Sequence, residues 1–298
     1  MMKTIREIQY TETQKVVSPL IFGSNLEHTR NSVHHGISAQ MLENRKFAGK
    51  STCMEGCAPL WLPVGAKAFF AQDAPYTRHA EGYCMSRALE CNALSMTSYT
   101  EGEVYGIRQN GLWLEKGRKY IFSIAIRALQ DCVLKVSFWD GDEERGSAEI
   151  QIEGDQDYAE KETELESAID SHNAGIRITC TGPGSVTIGA VSLMPSDHYH
   201  GMRVDVIERM KEMGIRILRW PGGNFAGEYN WKDGLLISNM RAPLQSYLGL
   251  ETQPHSMGYD FHEINTDDFV ALCRAIGAEP FITINPTWNT PEETAQWV

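Results

Sequence analysis

The sequence predicts an α/β protein: a partial (β/α)8 TIM-type barrel interrupted by an antiparallel, jelly-roll-like β-sandwich. Three observations lead there. Strand, polar loop and helix-spaced apolar residues follow one another over residues 16–47. The same rhythm returns after Pro195. Between about 50 and 196 the chain reads instead as many short strands separated by turns. The expected spans are 1–49 for a first βα unit, 50–196 for the inserted sandwich, and 197–298 for a second and third βα unit that stop short of a full barrel.

In the first unit Val16 to Phe22 is apolar, Gly23 to Arg30 is a polar turn, and Ile37, Met41 and Leu42 recur at helical spacing. In the second span the apolar runs Gly111–Leu114, Tyr120–Ala128, Val133–Trp139, Ile176–Cys180 and Val186–Leu193 predict strands, with Gly and Pro pairs as turns between them. In the third, Val204, Ile207, Met210 and Met213 share one helical face, Gly214 ends that helix, and Ile215 to Trp220 is a strand. A further helix is expected with Thr266 as N-cap, Phe269, Leu272 and Ile276 inward and Gly277 as its stop. Pro280 to Asn285 is the next strand. Thr290, Pro291, Glu292 and Glu293 then open a helix, and the sequence runs only to Val298. Three parallel strands cannot close an eight-stranded barrel, so the sequence predicts a fragment or a fold completed elsewhere.

A net charge of −12 without a long basic run argues against nucleic acid and anionic membranes as partners. No stretch approaches the ~18 apolar residues of a membrane span, and Met1 to Tyr10 lacks the apolar core of a signal peptide, which predicts a soluble, cytoplasmic chain. Seven cysteines, odd in number and without framework spacing, predict reduced thiols. Cys53 and Cys57 have no second pair or His at ligand spacing, so no metal is expected.

The chemistry-bearing residues cluster at the carboxyl ends of the three expected parallel strands, where barrel enzymes place their sites. These ends read Gly23-Ser-Asn-Leu-Glu-His-Thr-Arg30, Arg219-Trp-Pro-Gly-Gly-Asn-Phe225 and Asn285-Pro-Thr-Trp288. Carboxylates and amides recognise sugar hydroxyls, and an aromatic face covers the C–H surface. Glu27 and Asn224 fit the polar part, and Trp220, Trp231 and Trp288 the aromatic wall; the rival expectation is that Trp220 fills the core and Arg219 pairs internally with Glu27.

Residues 20–47, Gly201 to Gly234 and Gly277 to Asn285 resemble the opening, second strand with its loop, and third strand of family 51 α-L-arabinofuranosidases. The blocks that carry this are Leu-Ile-Phe-Gly-Ser-Asn-Leu-Glu-His-Thr-Arg30, Met41-Leu-Glu-Asn-Arg-Lys-Phe47, Leu218-Arg-Trp-Pro-Gly-Gly-Asn-Phe225 and Tyr229-Asn-Trp-Lys-Asp-Gly234. The resemblance implies a retaining glycoside hydrolase that releases terminal α-L-arabinofuranosyl groups from arabinose-containing saccharides, with no cofactor and as a homo-oligomer. It implies substrate-binding roles for Glu27, Arg219, Asn224 and Asn285, beside which Trp288 is expected from its position to bind substrate as part of the aromatic wall, and it places both catalytic carboxylates, on strands four and seven, beyond Val298. No catalytic residue is therefore expected within this chain. The insert is similar to the carbohydrate-binding-type sandwich of one family branch, through Gly106-Ile-Arg-Gln-Asn-Gly111 and Ile188-Gly-Ala-Val-Ser-Leu-Met-Pro195. Two rivals stay open: a non-catalytic carbohydrate-binding protein, and a barrel enzyme of another kind such as a lyase or isomerase.

Overall fold

A computed structural model describes residues 16–50, 57–80, 92–245 and 257–297. Met1 to Tyr10, Cys53, Cys84 and Cys91, on which expectations above also rest, lie outside the described residues. Cys57, Cys132, Cys180 and Cys273 are reduced thiols. Among the described residues no helix is long and apolar enough to cross a membrane.

The strands are β1 (Gly23–Asn25), β2 (Leu62–Val64), β3 (Phe69–Asp73), β4 (Ala93–Ser98), β5 (Val104–Leu114), β6 (Lys119–Ala128), β7 (Cys132–Asp140), β8 (Glu143–Ile152), β9 (Asp155–Glu166), β10 (Ser171–Thr181) and β11 (Gly184–Pro195). Helix α1 (Val204–Glu212), β12 (Ile217–Trp220), β13 (Leu244–Gln245), β14 (Tyr259–Asp260), α2 (Thr266–Ile276), β15 (Glu279–Ile282) and α3 (Pro291–Trp297) complete the order.

Two five-stranded antiparallel sheets, β2-β5-β10-β7-β8 and β3-β4-β11-β6-β9, face each other as a sandwich. Alternate residues of the central strands point inward, and the sheets close over one core that includes Tyr105, Ile107, Phe122, Ile124, Val136, Phe138, Ile176, Ile178 and Ile188; β11 is buried on both faces from Val186 to Leu193. The five strand runs expected in this span fall inside β5, β6, β7, β10 and β11.

The partial-barrel expectation is corrected. Among the described residues strand outweighs helix, 44% against 18%, and no barrel is formed. The parallel part is an open three-stranded sheet, β1-β12-β15, whose strands are three or four residues long. Its edge strands are largely exposed: all three residues of β1 are open to solvent, and Phe281 on β15 is 51% exposed. A sheet this short lacks the strand number and stagger that closure requires.

The first expected helix also fails. Residues 33–37 form a single wide turn in which His34 is extended and His35 has φ +60°, and Ser38 leaves it extended. Ile37 and Leu42 are buried as their spacing suggested, but in different cores, Ile37 beneath the parallel strands and Leu42 in the sandwich. The segment crosses between two cores and cannot present one face. Side chains replace its helical hydrogen bonds: Gln40 Oε1 accepts from the amides of Met41, Leu42 and Leu193, and Asn44 Nδ2 donates to the carbonyls of Ala48 and Pro59.

Helix α2 is capped one residue earlier than expected, by Asn265, whose side chain accepts from Asp268 N while the Asp268 carboxylate accepts from Asn265 N. Thr266 instead accepts from Trp297 Nε1 at 2.9 Å, which ties α3 to α2. Gly277 closes α2 at φ +73°, and Thr290 caps α3 through a reciprocal pair with Glu293.

Candidate functional site

Register brings the tips of β1, β12 and β15 together: Asn25 lies beside Arg219, and Arg219 beside Phe281. The loop after β12 then folds back over the loop after β1. Glu27 Oε1 accepts from Gly223 N at 2.8 Å and Phe225 N at 3.3 Å, so one carboxylate oxygen is fixed by two backbone donors. Its other oxygen has no hydrogen-bond partner among the described residues and is free to accept from a ligand hydroxyl. Gly222 has φ +138°, and a Cβ there would lie 2.8 Å from both Cβ and Cδ of Glu27, so the close approach requires glycine.

Arg219 does not pair with Glu27. Its Nε donates to Asn25 Oδ1 at 3.0 Å, and its Nη2 lies against Gly223, where a Cβ would stand 3.3 Å from it and 3.5 Å from Glu27 Oε1. Asn224 begins a short 3-10 turn, Asn224–Gly227; its side chain is exposed and makes no hydrogen bond among the described residues. Asn285 is fully buried: its Nδ2 donates to Tyr229 O at 3.0 Å and its Oδ1 accepts from the amides of Thr287 and Trp288. It shapes the turn that presents Trp288, which is 48% exposed. Trp220 is buried, stacked on Phe269, and Trp231 stacks on Trp297, so neither indole offers an open platform. The structure thus brings Glu27, Arg219 and Asn224 together around the loop 222–225, sets Trp288 on the neighbouring tip, and uses Asn285 as a support.

Beneath this loop lies a relay that the sequence reading did not anticipate. Trp220 Nε1 can only donate, so His28 Nε2 accepts from it at 2.9 Å and His28 Nδ1 carries the proton to Asp260 Oδ1 at 3.1 Å. The ring stacks on Phe225 at 5.0 Å. His28, buried, thereby fixes both the strand tip and the loop that holds Glu27. Asp260 lies 232 residues from His28, a separation no local motif reveals.

The Arg45-Lys46 pair has structural partners. Lys46 is completely buried and donates to the carbonyls of Arg241 and Phe261 at 2.9 and 2.6 Å, and burial and the Arg45 charge hold its ammonium well below the usual lysine range. Arg45 binds both oxygens of Glu263 at 2.7 Å.

Among the described residues, the cluster suited to a metal is His34, His35 and Glu43, whose ligand atoms lie within 4.8 Å of one another. In the protein they satisfy each other: His34 Nε2 and His35 Nε2 reach the two Glu43 oxygens at 3.1 and 2.7 Å. Burial pushes the Glu43 carboxyl up, but the two His hydrogen bonds and charges outweigh it and hold it at about 2. Glu263, where burial is likewise outweighed by Arg45, also sits at about 2. Both folded values lie below the ordinary 4.5, so their stabilisation is present above that pH and is lost as pH falls toward 2. The His35 imidazole is raised by its bond to Glu43, so its share is present below the ordinary 6.5 and fades as pH rises through the folded value. Urea unfolding across pH 2–5 (on the order of this range) is expected to show midpoints that fall steadily on acidification, with a shallower fall in Glu43→Gln. Equal slopes for both proteins would refute the role given to Glu43.

A cavity of about 500 Å³ lies between the sandwich and the helical layer, lined by Ser123, Glu160, Ser192, His200, Asn239 and Asp268 among others. Glu27, Arg219, Asn224, Asn285 and Trp288 do not line it. A second, of about 280 Å³, lies on the outer face of the sandwich.

No family model matches the chain. Its sequence is similar to α-L-arabinofuranosidases. It is 34% identical over 106 residues to alpha-L-arabinofuranosidase C of Emericella nidulans, which is 35% of this chain and 19% of that protein. It is 34% identical over 116 residues to the intracellular exo-alpha-L-arabinofuranosidase of Bacteroides ovatus, 39% of this chain and 21% of that one. The chain thus spans about a fifth of these relatives in the matched part. Among solved structures, TmCBM61 in complex with beta-1,4-galactotriose gives a TM-score of 0.37 at 16% identity, covering 53% of this chain and 100% of that one. The CBM22-1 xylan-binding domain of Paenibacillus barcinonensis Xyn10C gives 0.38 at 14% identity, covering 55% and 98%.

Proposed function

We propose that this chain supplies sugar-recognition residues of a glycoside hydrolase resembling family 51 α-L-arabinofuranosidases, acting on terminal α-L-arabinofuranosyl groups with retention. The sequence similarity to arabinofuranosidases supports a glycoside-related role. The observation that carries the finer reading is Glu27: one oxygen is held by Gly223 N and Phe225 N, which leaves the other for a hydroxyl beside Arg219 and the unengaged amide of Asn224. Trp288, partly exposed, supplies an apolar edge. The pair of carboxyls that retention requires, ~5 Å apart, is not assigned to these residues. Glu27 is consumed as an anchor and hydroxyl acceptor, so it is not read as a catalytic acid or nucleophile. Cofactors have no part in this mechanism, since two carboxyls supply the proton and the nucleophile.

Calorimetric titration of the purified chain with an arabino-oligosaccharide tests the reading. Saturable binding is expected, weakened about tenfold or more in Glu27→Ala, the loss of a charged hydrogen-bond acceptor. The chain alone is expected not to hydrolyse an aryl α-L-arabinofuranoside. Binding unaffected by Glu27→Ala would remove this loop from the sugar site, and turnover by the chain would show that its cutting groups had been misassigned.

A further inference from the structure

The cavity of about 280 Å³ on the sandwich lies over the middle of β5, β10 and β7. Strand register builds it. Asn110 pairs with Gly175, which pairs with Trp139; one row on, Arg108 pairs with Arg177, which pairs with Ser137. Gly175 makes the floor, since a Cβ there would stand 2.8 Å from Asn110 Oδ1 and fill the space between Asn110 and Trp139. Trp139 is pinned by its Nε1 donating to Ser137 Oγ at 2.8 Å, and the Arg177 guanidinium lies 3.5 Å over its ring. Asn173 closes one side of the depression.

Two arginines directly opposite on neighbouring strands repel, and such like-charge pairs are unfavourable in a sheet. Here no contact ion pair offsets the repulsion: among the described residues neither Arg108 nor Arg177 has a carboxylate within ion-pair distance, whereas Arg118, Arg127, Arg145 and Arg203 each have one, and Asp142 and Glu144 act on Arg177 only from farther away. Glu144, near this face, is already bound to Lys135 at 2.7 Å, and Asp142 is the one carboxylate lining the cavity. The pair stands out on a chain of net charge −12. Desolvation and the Arg108 charge lower the Arg177 guanidinium below its usual range, outweighing the opposing pull of Asp142 and Glu144. A bound anion would relieve it, and the fork geometry of two guanidiniums suits a planar carboxylate.

We propose that this cavity is a second saccharide site, separate from the strand-tip loop, that binds a carboxylated sugar, a hexuronate, with its carboxylate across Arg108 and Arg177 and its ring hydroxyls on the amides of Asn110 and Asn173. The volume lies near the lower end of ligand clefts (~300–1,000 Å³) and suits a single sugar unit rather than a long chain segment. Asp142 at the rim selects against a second negative group. The assignment does not depend on arabinose recognition at Glu27, because the two sites share no residue.

The test is calorimetry or NMR titration of the whole chain with galacturonate, glucuronate, galactose, arabinose and inorganic phosphate. A hexuronate is expected to bind about tenfold or more tightly than the neutral sugars and than phosphate, with affinity that falls as salt rises. Arg177→Ala and, as an independent probe less coupled to Trp139, Arg108→Gln are each expected to weaken uronate binding about tenfold or more while the melting temperature and the response to arabino-oligosaccharide stay as in the parent. Asp142→Asn is expected to tighten it. Equal binding of neutral and acidic sugars, phosphate binding as tightly as uronate, or no uronate binding would each overturn the proposal. So would uronate binding that survives both arginine variants.

Discussion

Arg45→Ala is expected to lower the unfolding free energy by about 3–5 kcal/mol, the usual cost of leaving a buried charge without its partner. Arg45 is 1% exposed and is the hub between the two cores. Its Nε and Nη2 hold both oxygens of Glu263 at 2.7 Å, Nη1 donates to Asn239 Oδ1 at 2.8 Å, and Nη2 also reaches Ser238 Oγ at 2.8 Å. Its own carbonyl accepts from Val191 N, on β11 of the sandwich. Without the guanidinium, the Glu263 carboxylate stays buried with its compensation gone. Urea unfolding at neutral pH measures the loss. The double variant Arg45→Met with Glu263→Leu is expected to recover much of it, because a buried ion pair exchanged for apolar residues of similar size is often neutral or better. A single variant that unfolds like the parent would mean that the pair contributes nothing to the native state.

Gly222→Ala is expected to weaken saccharide recognition at the strand tips as much as Glu27→Ala, about tenfold or more, though it leaves the carboxylate in place. At φ +138° an alanine is strained, on the order of 1–3 kcal/mol, and its Cβ would occupy the position of the Glu27 side chain. Relief requires Glu27 to swing out or the loop 222–225 to lift, and either breaks the bonds from Gly223 N and Phe225 N. The comparison to make is titration with an arabino-oligosaccharide, alongside Gly102→Ala, where a Cβ meets nothing within 4 Å, as a control for glycine replacement at positive φ. Parent-like affinity in Gly222→Ala would mean that the anchored carboxylate does not set the site.

What the sequence made legible follows its physical range. The sandwich core strands were visible because alternation is a local signal: Tyr120 to Ala128 carries it in nine consecutive residues. Strands β2, β3, β4, β8 and β9 were missed. Residues 155–166 are dominated by acidic side chains, and the strand is formed because its backbone pairs with β6 at the sheet edge, a partner supplied from 119–128. The helix expected near Ile37 to Leu42 failed for the opposite reason: the apolar spacing was real, but it served two cores rather than one face. At the candidate site, Glu27, Arg219 and Asn224 were legible as polar strand ends, whereas Asn285 in the same pattern turned inward to hold a turn. His28 with Asp260, and Arg108 with Arg177, depend on contacts between distant segments, which no window of sequence displays.

Residues 37–48 have a consequence for how the protein comes apart. Because Leu42 and Phe47 are lodged among the sandwich side chains while Ile37 sits under the parallel strands, this stretch acts as a rivet through both layers. Neither layer is a detachable cassette, and a gene fragment encoding only residues 57–196 would leave holes where Leu42 and Phe47 belong. Heating should melt both layers together in one calorimetric step.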